Sequence, residues 1–264
     1  MRKLLRFILG LIACAVLLFS AYQLYDYFVQ TNASKDLLEG LAEDAVVVKT
    51  PESEAAPDDS HSTTAGATPW DSNETAPIEV DFTVLQETNP DVIGWLYCPD
   101  TPINLPVVQA EDNDYYLRRL PDGSWNNAGT LFADYRNAGD FSGWNTIIYG
   151  HNMKNDSMLG TLPNYSKQEY YAAHPVMWLL TPERDYKIEL VAGYVTSSTS
   201  DIYCVVQTDE EALALAQNAV QASDFTTDIP LEPGDRFVTL STCSYEYDNA
   251  RYVLVGRLVP LGEA

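Results

Sequence analysis

Basic residues and histidines are scarce in this chain. Its 264 residues include 15 lysines and arginines against 38 acids, a net charge of −23. Nucleic acids are bound through Lys/Arg patches on phosphate, and no such patch occurs, so a nucleic-acid partner is excluded. There are three histidines and four cysteines, and the cysteines at 14, 98, 204 and 243 show no CxxC spacing. Ligands this scattered do not build a zinc site. Spacing leaves open whether Cys98 and Cys204 pair in an exported protein. No internal repeat is present.

The chain divides by composition. Arg2, Lys3 and Arg6 precede an apolar run from Phe7 to Ala21. That order keeps the N-terminus cytoplasmic and sends the remainder outside. A cleaved signal peptide and a lipoprotein box at Leu11–Cys14 compete with this reading. The apolar run continues past Cys14 to Phe19, which favours an uncleaved membrane anchor over residues 1–29. Residues 30–80 read as an acidic linker. Lys35 to Val46 carries a short amphipathic pattern, and from Thr50 onward the segment buries too little to fold. Its expected use is to hold the domain off the bilayer.

Residues 81–264 form the folded domain. Asp81 caps a short helix, Phe82 to Thr88, closed by Asn89-Pro90. Eight strand-like runs follow: 92–97, 103–108, 129–133, 145–149, 176–180, 186–195, 237–242 and 252–258. Turn residues separate them, which implies a barrel or sandwich. Two helices interrupt the strands, at 166–173 and 209–222. The second opens with a capping box, Thr208 and Glu211, and presents Leu213, Ala216, Val220 and neighbouring alanines to the barrel.

The chemistry concentrates at strand ends. Thr239-Leu240-Ser241-Thr242-Cys243 closes one strand, and Arg251 opens the next. As a hairpin, these strands place Cys243 and Arg251 at one rim. A cation lowers a thiol's pKa or stabilises an oxyanion. His61 lies in the linker, and His174 precedes Pro175 in a structural setting. His151 ends the strand Asn145–Tyr149 at Gly150, where a glycine permits a sharp change of direction. It is the partner for Cys243.

These residues resemble a sortase: TLSTC at 239–243, YGHNM at 149–153, and the trailing Arg251. Asp91–Trp95, Pro106–Gln109 and Asn113–Leu117 are similar to class B sortases, as is the long helix before the cysteine strand. The resemblance spans roughly Asp81 to Pro260. It implies a mainly β fold, a closed eight-stranded barrel with peripheral helices. It also implies a cysteine transpeptidase that cleaves a sorting signal in a secreted protein through a thioester. The acyl group would pass to an amine of a cell-wall precursor or a pilin. His151, Cys243 and Arg251 would be catalytic. Asn113, Leu117, Tyr149, Tyr203 and Ser241 would contact substrate, although Leu117 and Tyr149 read equally well as core. No metal or organic cofactor is implied. Ser244 stands where some members have an acid. Asn152 reads either as an orienting partner of His151 or as a turn amide, and Arg257 as structural. A hydrolytic cysteine protease and a non-catalytic surface module are the alternatives.

Overall fold

The computed structural model describes residues 2–49 and 75–262. The expected spacer from Thr50 to Glu74, with His61, lies outside the described residues.

The first element is one long helix, α1 (Arg2–Ala45). Its apolar part has a mean hydropathy of 2.4 and is wholly exposed, so length and composition suit it to cross a membrane. It continues unbroken through the expected anchor–linker boundary. Leu38, Leu41 and Ala45 near its end are buried. Two short strands follow, β1 (Val46–Val48) and β2 (Ile78–Val80), paired antiparallel. Lys49 N donates to Pro77 O at 2.9 Å, and Asp81 N to Ala45 O at 2.8 Å. The chain therefore leaves this point and returns to it.

Helix α2 (Phe82–Thr88) starts at Asp81, whose carboxylate accepts from Thr83 N and Val84 N. The strands are β3 (Val92–Tyr97), β4 (Asn104–Val108), β5 (Leu131–Ala133), β6 (Asn145–Tyr149), β7 (Val176–Leu180), β8 (Tyr186–Ser197), β9 (Arg236–Cys243) and β10 (Ala250–Pro260). They close a barrel in the order β10-β8-β7-β3-β4-β5-β6-β9. The β4–β5 and β6–β9 pairs are parallel. Helix α3 (Gln168–Ala173) follows a 3₁₀ turn at Leu162–Ser166, so the expected helix at 166–173 is split.

Alternation along the strands sorts side chains between layers. Val238 and Leu240 of β9 join Leu96, Ile148, Leu179, Ile188 and Leu254 inside the barrel. Phe237, Val253 and Val255 face outward, under helix α4 (Asp209–Ala222). The buried face of α4 is Ala212, Ala216 and Ala219, while Val220 is 38% exposed. The expected face was Leu213, Ala216, Val220 and the neighbouring alanines, and only its alanines are fully buried. Small residues let the helix axis approach the sheet, so the alanines of that face are the ones that meet it. Thr208 Oγ1 accepts from Glu211 N, but the Glu211 carboxylate reaches Gln207 N, one residue before the cap.

Candidate active site

Three strands build one rim of the barrel. Strands β6 and β9 run parallel with Tyr149 opposite Ser241. Their C-terminal ends therefore emerge side by side. Pairing continues past the strands: Gly150 N donates to Ser241 O at 3.1 Å, Thr242 Oγ1 to Gly150 O at 2.8 Å, and Asn152 Nδ2 to Cys243 O at 2.8 Å. His151 and Cys243 each lie two residues beyond the paired Tyr149 and Ser241. Strand β10 returns antiparallel with Arg251 opposite Cys243. All three are half-buried.

A cleft of about 410 Å³ opens here. Asn113, Leu117, Tyr149, His151, Tyr203, Ser241, Cys243 and Arg251 all line it. Phe132, Arg136, Ser198 and Thr242 complete the lining with Gly150. A half-buried thiol opposite a guanidinium, beside an imidazole, has the parts needed for nucleophilic acyl transfer.

His151 is held from the far wall. Its Nε2 lies 2.7 Å from the Leu117 carbonyl oxygen. A carbonyl only accepts, so Nε2 carries the proton and Nδ1 is the nitrogen left for chemistry. Burial pushes the imidazole pKa down; the Leu117 bond opposes this and the Arg118 charge adds to it. A Cβ at Gly129 (φ +60°) would come 2.6 Å from that same Leu117 oxygen, so glycine lets the next loop press against it. Gly150 plays a different part from the expected turn. A Cβ there would come 2.4 Å from Leu131 Cδ2, so close packing, not a left-handed bend, requires glycine.

The aromatic wall is cross-linked. Tyr203 OH and Ser241 Oγ are 2.8 Å apart, and the Tyr149 and Tyr203 rings stack with centroids at 6.2 Å. Burial raises the Tyr203 pKa; the Ser241 bond and nearby Arg251 pull it back. Tyr149 OH donates to Asp134 Oδ2 at 2.9 Å. Arg136 grips Asp134 through two bonds of 2.8 and 2.6 Å and donates to Tyr203 O at 3.1 Å. Burial works to raise the Asp134 pKa, but the Arg136 and Tyr149 bonds hold it down at about 2. Sequence reasoning missed this Asp134–Arg136 pair. The Asp-Tyr-Arg run after a strand was its only signal, and nothing in it pointed to the cleft.

Other expectations resolve by position. Asn152 serves the Cys243 carbonyl rather than His151. His174 caps α3 and packs on Tyr170, ring centroids 4.7 Å apart. Ser244 Oγ donates to Glu246. Cys98 is buried beside Tyr165 OH at 3.9 Å, Cys204 is exposed, and both are free thiols.

No family model matches the sequence. The chain is 39% identical over 180 residues to Sortase B of Listeria monocytogenes, covering 66% of this chain and 72% of the relative. The chain belongs to the class B sortase family. The solved structure of the Staphylococcus aureus sortase B–substrate complex superposes with a TM-score of 0.65 at 27% identity, over 69% of this chain and 85% of that one. Sortase B complexed with triglycine gives a TM-score of 0.64 at 26% identity, over 69% and 86%. The closed barrel is the one these sortases share, and sortase membership makes the protein a cysteine transpeptidase by family.

Proposed function

We propose that this sortase cleaves a sorting signal in a secreted protein and joins the acyl fragment to an amine. His151 Nδ1 takes the Cys243 thiol proton, and the thiolate attacks the scissile carbonyl, forming a C–S bond and a tetrahedral oxyanion. Arg251 faces that oxyanion; its guanidinium keeps its charge through the cycle and cannot act as base. Collapse breaks the C–N bond, and the His151 imidazolium gives its Nδ1 proton to the departing amine. The thioester then meets the acceptor amine. His151 takes the amine's proton back, a new amide forms, and sulfur leaves as thiolate. Asn113, Leu117, Tyr149, Tyr203 and Ser241 hold the peptide along the cleft.

The observation that carries this reading is the register that sets Arg251 opposite Cys243 beside the end of the His151 strand. The substrate and triglycine complexes of related sortases support a peptide donor and an amine acceptor, either a peptidoglycan precursor or a pilin lysine. The apolar part of α1 supports a single span, and Lys3 and Arg6 before it support a cytoplasmic N-terminus. In this arrangement residues 1–29 anchor the chain and residues 81–264 form the extracellular catalytic domain.

The test incubates a labelled sorting peptide with the enzyme, with and without an amine, and follows products by mass spectrometry. A Cys243-bound thioester and an amine-joined product are expected. Hydrolysis alone with every amine tried would assign a protease instead. Processing by Cys243→Ala would remove the cysteine from the reaction.

A further inference from the structure

The route from the apolar helix to the barrel is direct. Strand β1, which follows α1, pairs directly with β2, which leads into the barrel domain. Helix α1 itself meets the barrel: Asn126 Nδ2 donates to Gln30 O at 2.8 Å, and Asn127 N to Gln30 Oε1 at 3.1 Å. Leu38 and Leu41 are buried further along. Exposed Tyr22, Tyr25 and Tyr27 precede these contacts, the residue type that marks a bilayer interface. From Tyr22 to Gln30 is eight helical residues, about 12 Å at 1.5 Å each.

The segment that meets Gln30 is a small hairpin. Asn126 N donates to Arg118 O at 3.0 Å and Leu120 N to Ser124 O at 2.9 Å. Trp125 stands at its edge, 57% exposed although large and apolar. Arg119 lies over the Tyr115 ring at 4.8 Å, and Arg118 donates to Asn127. Tryptophan, tyrosine and arginine at the level of a membrane helix's aromatic belt are the types that settle among headgroups. Asp112, Asp114 and Asp122 lie on the same stretch and offset the arginines, so depth rather than net charge governs the contact.

We propose that the hairpin 118–126, led by Trp125, rests in the interfacial layer of the bilayer and with α1 holds the barrel at a fixed height. The inference rests on the reading of α1 as an anchor. It has a consequence for the site, because Leu117, one residue before this hairpin, lines the cleft and holds His151. The cleft then opens close to the lipid surface, within reach of a chain emerging from the same membrane.

The test reconstitutes the full chain in phosphatidylcholine vesicles, with and without brominated acyl chains. Flotation with the vesicles reports the anchor, and tryptophan quenching reports the hairpin. Of the four other tryptophans, Trp95 and Trp178 are buried in the barrel wall, and comparing the wild type with Trp125→Phe subtracts what Trp70 and Trp144 contribute. Quenching clearly stronger in the wild type than in Trp125→Phe is the expected result. A chain that floats but is quenched equally with and without Trp125 overturns the hairpin contact alone. A chain that does not float overturns the anchor, and the inference with it.

Discussion

Arg251 lies opposite Cys243 and spends one N–H on the Ala250 carbonyl at 3.0 Å. In the proposed reaction its charge serves the transition state rather than the fold. Arg251→Ala should therefore lose about 10²-fold or more in kcat, the scale of a lost oxyanion donor, with an unchanged melting temperature. Arg257 is the opposite case. It pairs with buried Glu189 at 2.6 Å and also donates to Pro230 O. Arg257→Ala removes the closest partner of a buried carboxylate, and about 3 kcal/mol of stability should go with it, while the folded fraction keeps its turnover. Urea midpoints and active-site titration separate the two. His151 ties pH to stability. Burial lowers its folded pKa below the ordinary 6.5. As pH falls through 6.5 the unfolded chain takes the proton first, so this contribution is present above 6.5 and lost below it. Urea midpoints measured across that range should show a shallower acid limb in His151→Gln.

At the scale of elements, helix α4 closes on the sheet because alanines face it. Ala216 is fully buried, in one apolar cluster with Phe237 and Val191. Ala216→Leu should overpack this contact and cost about 1–3 kcal/mol, read by chemical denaturation. The helix was legible to the residue, since its cap and its composition are local. Its facing side was legible in part, since the alanines belonged to the expected face and exposed Val220 did too. Periodicity favours the largest apolar residues, whereas the distance to the sheet favours the smallest. All eight barrel strands were legible for a similar reason, because each carries its own run of β-branched and apolar residues between turns. Their ends moved by a few residues where pairing partners extended them, as β8 did to Ser197 against Ala250.

For the whole molecule, α1 does two jobs along one axis. Its early turns are exposed and apolar, and its late turns are buried against Ala76, Ile78 and Leu85. Removing residues 1–29 should leave the barrel's melting temperature nearly unchanged. Removing 1–48 should lower it markedly, because Leu38, Leu41, Ala45 and strand β1 go too. Differential scanning calorimetry of the two truncations checks this, and equal melting temperatures would mean that α1 adds no stability to the barrel.

The chemical inventory was written in the chain: one cysteine, one histidine and one arginine at strand ends, and a span of apolar residues behind a basic start. Local propensity and alternation sufficed for these, because each depends on neighbours in sequence. Tertiary structure decided the rest. It chose a parallel β6–β9 pairing that sets His151 beside Cys243, and turned Leu117 O toward the imidazole. It also drew Asp134 and Arg136 under the tyrosine wall, and bound the two ends of the acidic segment to each other. These are contacts between residues tens of positions apart, and nothing in a local window of sequence encodes which distant strand will supply the partner.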